Sequence, residues 1–373
     1  MSKSAIRAEQ PLLFPIYNKN GILLAEKGSL LTRSQVQKLE KLSEIFTLHR
    51  ALETTIVSKY AKTEERNSIY RLPPPLERLE TLEELLFEVY STPNSSTCLS
   101  KILTLVNRLQ TICEKSPDAA IAKIITDTND NYSVKHPLHT AILCELAAGY
   151  LNWDIEEKRN IIAAALTMNL SLGMIQNKLL DQPQPLSLEQ QQVIHDHPEE
   201  TCKLLKKIGV QNSQWIDYVL KHHETIDGKG YPSGLTETDI PMAALLINLS
   251  DVYCAKVSGR SYREPIFANV AARDIYLEKD NTEKGTLIEV FVKTLGLYPP
   301  GCLVRLENDE LAIVVSRGNR VDTPIVRVLS SNPKNPLLPK VKRNTQQNHY
   351  GIKNIVLDGS IEASLDYNEV WPT

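Results

Sequence analysis

Hydrophobic positions along this chain follow two different periods, and the change of period divides it. Near the N-terminus, short apolar stretches are broken by turn residues, first Pro15-Ile-Tyr-Asn18 and then Asn20-Gly21-Ile-Leu-Leu24. Asn-Gly favours a tight hairpin turn, so a small β-containing module is predicted there. Gln35 to Leu42 then carries apolar residues at helical spacing, with Ser34 placed to cap them. From Leu79 onward the spacing is helical: Leu82, Leu85, Leu86 and Val89, then Ile102, Leu105, Val106, Leu109 and Ile112, recur at three and four residues. The Leu79 to Val89 stripe is expected to be core packing. The same period runs through Ile142 to Leu151, Ile161 to Met174, Leu188 to His195, Thr201 to Ile208, Trp215 to Lys221 and Ile240 to Val257. No part of this region alternates like a strand. After Pro299-Pro-Gly301, Leu303-Val-Arg-Leu306 and Leu311-Ala-Ile-Val-Val315 flank Glu307-Asn-Asp-Glu310, a hairpin pattern. Thr323 to Leu329 and Asn354 to Leu357 read as further short strands.

The predicted class is therefore mainly α: a helical bundle core with a small α+β module in front and a small β-rich tail behind. Between Ser58 and Glu77 charge accumulates, and Arg71-Leu-Pro-Pro-Pro-Leu76 excludes a helix interior. The expected organisation is a module at 1–57, a charged, proline-rich linker at 58–78, a helical domain at 79–298 with its core at 132–298, and a tail at 299–373. A length of 373 residues agrees with two or three domains.

Composition narrows the class without naming a function. Hydrophobic residues at 42% and charged residues at 23% exclude disordered, collagen-like and coiled-coil chains. Lys plus Arg is 42 against 45 for Asp plus Glu, so a net charge of -3 offers no general attraction for a nucleic-acid polymer. Apolar runs such as Ile161 to Leu166 fall far short of the ~20 residues that span a bilayer. Met1-Ser-Lys-Ser-Ala5 lacks the apolar stretch of a signal peptide, so a cytoplasmic protein with no membrane partner is expected. The 6 cysteines stand singly and read as small buried hydrophobes rather than zinc or disulfide pairs.

The histidines depart from this ordinary picture. Of 8, six lie between His136 and His223. His136 opens a helical stretch, His197 stands in His195-Asp-His-Pro198, His222-His223 precede Glu224-Thr-Ile-Asp-Gly-Lys-Gly-Tyr-Pro232, and Asp251 follows in a later helix. Imidazoles with a carboxylate suit Fe, Mn or Zn, and a polynuclear site also needs carboxylates to bridge and neutralise the ions. Such ligands would have to converge in a bundle core.

The segment from about Tyr132 to Pro300 resembles the HD-GYP family, a bacterial subgroup of HD-domain phosphohydrolases associated with cyclic di-GMP hydrolysis. His222-His-Glu-Thr-Ile-Asp-Gly-Lys-Gly-Tyr-Pro232 is similar to its HHE-x-x-DG-x-GYP signature. Ile240-Pro241 followed by Asp251-Val-Tyr-Cys-Ala255 resembles its metal-aspartate helix, Arg260-Ser-Tyr-Arg263 its R-x-Y-K/R element, and His197-Pro198 its HP ligand. The resemblance implies metal ligands at His136, His197, His222, His223 and Asp251, with Fe or Mn as the ions. It implies nucleotide contacts at Asp227, Gly228, Gly230, Tyr231, Pro232, Arg260, Tyr262 and Arg263, with Tyr231 stacking on a base and the arginines pairing with phosphate.

The departure from the family lies in Ala164-Ala-Leu-Thr-Met-Asn-Leu-Ser-Leu172. Where the family carries HD-x-G-K, Met168 replaces the histidine, Asn169 the aspartate and Leu172 the lysine. Asn169 cannot supply a bridging carboxylate, and a thioether is a poor ligand for hard ions. Tyr132 stands where some relatives carry a further Glu ligand. The catalytic positions are thus substituted, and the expectation is a degenerate signalling protein that binds cyclic di-GMP, partner proteins such as GGDEF-type proteins, or both, without efficient hydrolysis. Metal is expected to be absent or partial, and self-association is left open. The alternative is a working metal-dependent phosphodiesterase built on the five remaining ligands. His139 and His195 match no ligand position and are expected at the surface; His49 and His349 carry no role. The N-terminal module shows no catalytic pattern, which leaves interaction or regulation.

Overall fold

The proline run ahead of the helical region ends where the first helix begins. In a computed structural model of the chain, helix α1 spans Pro75–Ser91 with Pro75 in its first turn. A missing N–H costs nothing at that position, so the helix starts inside the stretch expected as linker. The structure describes residues 16–18, 23–25, 45–46, 72–127, 130–182, 184–258, 266–279, 283–329 and 337–372. The chain forms two compact units, Met1–Arg71 and Leu72–Thr373. In the first unit β1 (Ile16–Asn18) pairs antiparallel with β2 (Leu23–Ala25) and with β3 (Ile45–Phe46). The helix expected over Gln35 to Leu42 lies outside the described residues.

The second unit is mainly α. Among the described residues α1 is followed by α2 (Cys98–Lys115), α3 (Pro117–Thr126), α4 (Tyr132–Tyr150), α5 (Ile155–Thr167), α6 (Ile175–Asp181), α7 (Leu188–Lys207), α8 (Ser213–Lys221), α9 (Met242–Val257), α10 (Ala268–Leu277) and α11 (Glu283–Leu295). The apolar stripes face inward as their period requires: Leu79, Leu82, Leu86, Ile102, Leu105, Leu109 and Ile112 are all buried in one core. Helix α4 is buried on nearly every side, which places it at the centre of the bundle.

Two helix boundaries differ from the sequence pattern. The stretches Leu188 to His195 and Thr201 to Ile208 form the single helix α7, which runs through Pro198 and opens on a capping box between Ser187 and Gln190. Helix α5 is capped by Asp154, whose side chain accepts from the Glu156 and Glu157 amides, and it stops at Thr167 rather than continuing to Met174. The apolar pattern ran on because Met168, Leu170 and Leu172, in the turns that follow, are buried as well.

Behind the helices stands a five-stranded antiparallel sheet in the order β7-β6-β5-β4-β8, made of β4 (Leu303–Leu306), β5 (Leu311–Ser316), β6 (Ile325–Leu329), β7 (Leu337–Asn344) and β8 (Ile352–Ile355). Its two faces are both covered. Leu303, Ile313 and Val315 join the helical core, while Val304, Leu306, Ala312, Val314 and Val326 form a second cluster with Ala268 and Cys302. This explains why Leu311 to Val315 is continuously apolar instead of alternating. The chain ends in two short helices, α12 (Gly359–Ser364) and α13 (Tyr367–Val370), and Trp371 Nε1 donates to the Val315 carbonyl at 2.8 Å. β7 and these helices carry no clear period and were not foreseen. All 6 cysteines are free and buried. No helix among the described residues is long and apolar enough to cross a membrane.

Candidate functional site

Two helices that meet end to side bring three imidazoles together. His197 lies in the middle of α7, His222 is the C-cap of α8, and His223 follows it. One nitrogen from each ring falls within 4.8 Å of the others. Backbone carbonyls set the tautomers of two of them. His197 Nδ1 donates to the Ile194 carbonyl at 2.5 Å, and His222 Nδ1 donates to the Val219 carbonyl at 2.7 Å. A carbonyl only accepts, so each proton sits on Nδ1 and each Nε2 presents a lone pair. These two Nε2 atoms face one another at 3.2 Å. Burial pushes His197 down to about 3, with the neighbouring His222 adding to the effect. Burial likewise lowers His222, and it takes His223 well below the ordinary range. Uncharged rings with facing lone pairs repel one another unless a cation lies between them. The spacing matches the ~3.0–3.4 Å that two nitrogens of one ion's tetrahedral or octahedral shell adopt.

His136 and Asp251 are arranged differently. From α4 and α9, 115 residues apart, His136 Nε2 donates to the Asp251 carboxylate at 2.5 Å. This leaves His136 Nδ1 buried with no partner, while Tyr132 stacks on the same ring with centroids 4.5 Å apart. Burial alone would raise the Asp251 carboxyl, but the bond and charge of His136, helped by His223 and His222, hold it below the usual carboxylate range. The five ligand-type residues thus separate into a triad of facing imidazoles and a closed imidazole–carboxylate pair.

His197 and His223 of the triad share a cavity of about 480 Å³ with the pair, lined also by Tyr132, Tyr231, Asn169, Leu172 and Gln176, while His222 lies buried behind it. The turn after α5 supplies Asn169 and Leu172, and it is tied to α7 by Ser171, whose Oγ donates to the His197 carbonyl at 3.0 Å. Met168 is completely buried in the hydrophobic core and does not line the cavity. Asn169 contributes an uncharged amide to the lining, and among the described residues Asp251 is the one carboxylate there.

The Gly-Tyr-Pro loop is held from beneath by a residue whose role the sequence did not disclose. Glu224 is buried, and its two carboxylate oxygens accept from the amides of Ser233 at 2.7 Å and Leu235 at 2.9 Å. Gly230 runs against that strand of backbone: a Cβ there would lie 2.4 Å from the Thr225 nitrogen, so only glycine fits. Gly228 adopts φ +72, and Asp227 accepts from Thr225 Oγ1 at 2.6 Å and pairs with Lys229 at 3.0 Å. Among the expected nucleotide contacts, Tyr231 lines the cavity, while Asp227, Gly228, Gly230 and Pro232 shape the turn beside it. Arg260, Tyr262 and Arg263 lie outside the described residues.

The histidines set aside in the sequence divide. His195 is exposed on α7, yet its ring stacks on Tyr231 at 4.9 Å. His139, expected at the surface, is buried, and its Nε2 donates to Asp127 at 3.0 Å. It lies one turn beyond His136 on a helix with almost no exposed face, so a surface position was never available to it. Asp127 and Glu83 complete a second group of ligand-type atoms within 4.8 Å of one another.

Residues 119–283 match the family described as HD domain. A cyclic di-GMP phosphodiesterase of Pseudomonas aeruginosa is 29% identical over 239 residues, covering 64% of this chain and 58% of that protein. The cyclic di-GMP phosphodiesterase PdeB of Borreliella burgdorferi is 21% identical over 241 residues, covering 64% of this chain and 62% of that protein. The chain therefore spans about three fifths of the length of these two relatives. An HDG"Y"P protein of Bdellovibrio bacteriovorus, Bd1817, shares the fold, with a TM-score of 0.51 at 17% identity over 77% of this chain and 96% of that one. Helical core and histidine site together define an HD-domain protein. Within that class the chain is similar to proteins of the HD-GYP family.

HD-domain phosphohydrolases depend on metal, and the donors here fit one ion better than two. The facing lone pairs of His197 and His222, with His223 beside them, are open to a cation. A second ion held by His136 and Asp251 would have to break their bond, and among the described residues no second carboxylate lines the cavity to bridge it to the first.

Proposed function

We propose that this chain is a cyclic di-GMP signalling protein whose HD-type site binds the dinucleotide and turns it over poorly or not at all. The observation that carries this reading is the position of Asn169. It lines the same cavity as His136, Asp251, His197 and His223, and the family resemblance calls for a bridging aspartate at this position. The relatives supply the ligand class, since both are cyclic di-GMP phosphodiesterases by name.

In this reading His197, His222 and His223 hold a single divalent ion, and imidazole donors favour Zn or Fe(II) over Mn. When bound, such an ion supplies Lewis acidity toward a phosphodiester. The remaining residues bind and orient. Tyr231 offers an aromatic ring to a base, Leu172 makes apolar a position where the family resemblance calls for a lysine, and Asp251 stays ionised through its bond from His136. Residues 1–57 would act as an input or docking module.

Calorimetric titration with cyclic di-GMP, with chromatography of the products, tests the reading. Binding at micromolar or tighter affinity without linear dinucleotide or GMP is expected. Absence of heat up to millimolar ligand would remove the ligand and leave docking to protein partners such as GGDEF-type proteins. Turnover with two ions per chain would establish the alternative, an active phosphodiesterase with a reduced site.

A further inference from the structure

Tyr231 is the aromatic ring best placed to receive a base, but it does not stand open. The His223 ring lies 4.6 Å from it at an interplanar angle of 25°, and the His195 ring lies 4.9 Å from it at 24°. Both are stacked. Among the described residues no ring contact joins His195 to His223, as one would if both covered the same face. The Tyr231 ring is therefore sandwiched, with His223 on the inner side toward the triad and His195 on the outer side. A planar ligand cannot stack on Tyr231 while both rings stay in place.

The two covers are not equally fixed. His223 is one of the three clustered imidazoles, and the loop beside it is anchored by Glu224. The His195 side chain keeps 51% of its surface in solvent, and among the described residues its polar partner is the neighbouring Asp196, 3.1 Å away and 47% exposed. An ion pair as exposed as this holds a side chain weakly. His195 can leave by side-chain rotation alone, whereas His223 cannot move without disturbing the triad.

We infer that His195 is a displaceable cap on Tyr231, a specificity-determining residue that keeps the ring face closed until a planar base takes its place. The inference deepens the nucleotide reading given above and rests on it for the identity of the ligand. Its energetic content is the aromatic pair that the base must replace, equivalent to roughly 2- to 10-fold in affinity.

Two measurements on the full chain test it. In the first, Tyr231 is nitrated with tetranitromethane and the modified peptide is followed by mass spectrometry, with no ligand present. His195→Ala should speed modification of Tyr231 several-fold relative to the native protein. His195→Phe should not, because a phenyl ring keeps the cover. Equal rates in the native protein and His195→Ala would overturn the cap. In the second, cyclic di-GMP and pyrophosphate are titrated calorimetrically. His195→Ala should tighten cyclic di-GMP by roughly 2- to 10-fold and leave the base-free pyrophosphate unchanged. Weaker cyclic di-GMP binding in His195→Ala would also overturn the proposal, since it would make His195 part of the grip instead of an obstacle to it. If neither protein binds cyclic di-GMP, the nucleotide reading falls while the nitration rates still decide whether His195 caps the ring.

Discussion

Among the described residues two groups gather histidine and other metal-ligand atoms within 4.8 Å, and they have opposite characters. In the first, Glu83, Asp127 and His139 lie where α1, α3 and α4 meet, and protein cations already occupy the space between them. Lys123 Nζ stands 2.8 Å from Glu83 and 3.2 Å from Asp127, Lys135 Nζ stands 2.9 Å from Asp127, and His139 donates to its other oxygen. In the second, the Nε2 lone pairs of His197 and His222 face one another with His223 beside them, and among the described residues no ammonium pairs with them. Residue types and spacing describe both groups equally well. What separates a structural charge network from a candidate metal centre is whether the acceptors have already been satisfied by the protein's own donors.

That contrast can be broken by experiment, and the largest effect should come from the closed group. Asp127→Asn leaves Lys123, Lys135 and His139 facing a neutral amide, and loss of one partner from a buried ionic network costs about 3–5 kcal/mol. Urea unfolding should show that loss, and a change below about 1 kcal/mol would mean that the network is solvated and the contrast overstated. Next in size is the open group. Zn added at about 100 times its dissociation constant should raise stability by about 2.7 kcal/mol, with one ion per chain. His222→Ala should weaken that ion by more than 100-fold, since losing even a supporting partner costs ~10–100-fold. Glu83→Gln should leave it unchanged, because the closed group takes no metal. Zn stabilising a His222→Ala protein as well as the native one would remove the triad as its site.

A third variant converts part of the open site. Asn169→Asp adds a carboxylate to the cavity, and elemental analysis should then find two ions per chain against the one proposed for the native protein. Leu172→Lys added to it supplies a cation toward phosphate. Met168→His is the least useful of the family substitutions, because position 168 is enclosed by core side chains. The smallest effect concerns pH. Burial first, and the nearby Asp127 charge second, push Glu83 up to about 7 from its ordinary 4.5. The folded state therefore holds this proton through a range in which the unfolded chain has released it. The contribution is fully present below pH 4.5 and is lost as pH rises toward 7. Glu83→Gln, which cannot ionise, should gain stability relative to the native protein as pH rises from 5 to 8. A difference independent of pH would show that Glu83 does not titrate in this range.

Much of the architecture was legible without coordinates, because burial of a periodic apolar face is a local property of the chain. Leu79 to Ile112 and Leu303 to Val315 declared helices and strands through spacing that any folded context would exploit. Boundaries were less secure where a buried turn imitates a helix, as at Met168 to Leu172. β7 and the two C-terminal helices carried no clear period at all. The imidazoles that meet in the candidate site were equally visible as residue types, since His197-Pro198 and His222-His223 stand in short motifs.

Other features had no local signature. Nothing near His139 in sequence marks it as buried; Asp127, 12 residues away, and the enclosure of α4 decide that. Glu224 reads as part of a motif, yet it works as the clamp of the loop that follows. His195 reads as a surface residue and is one, but its ring covers Tyr231 from another element. The sequence by itself determined the helical core, the β-rich tail, the supply of imidazoles and the loss of the aspartate at 169. Only the tertiary structure decided that His136 is closed against Asp251, that Lys123 fills one ligand cluster and that His197 and His222 leave theirs open. A residue's type determines which bonds it can make, and long-range packing determines which partners come within the few ångströms where those bonds form.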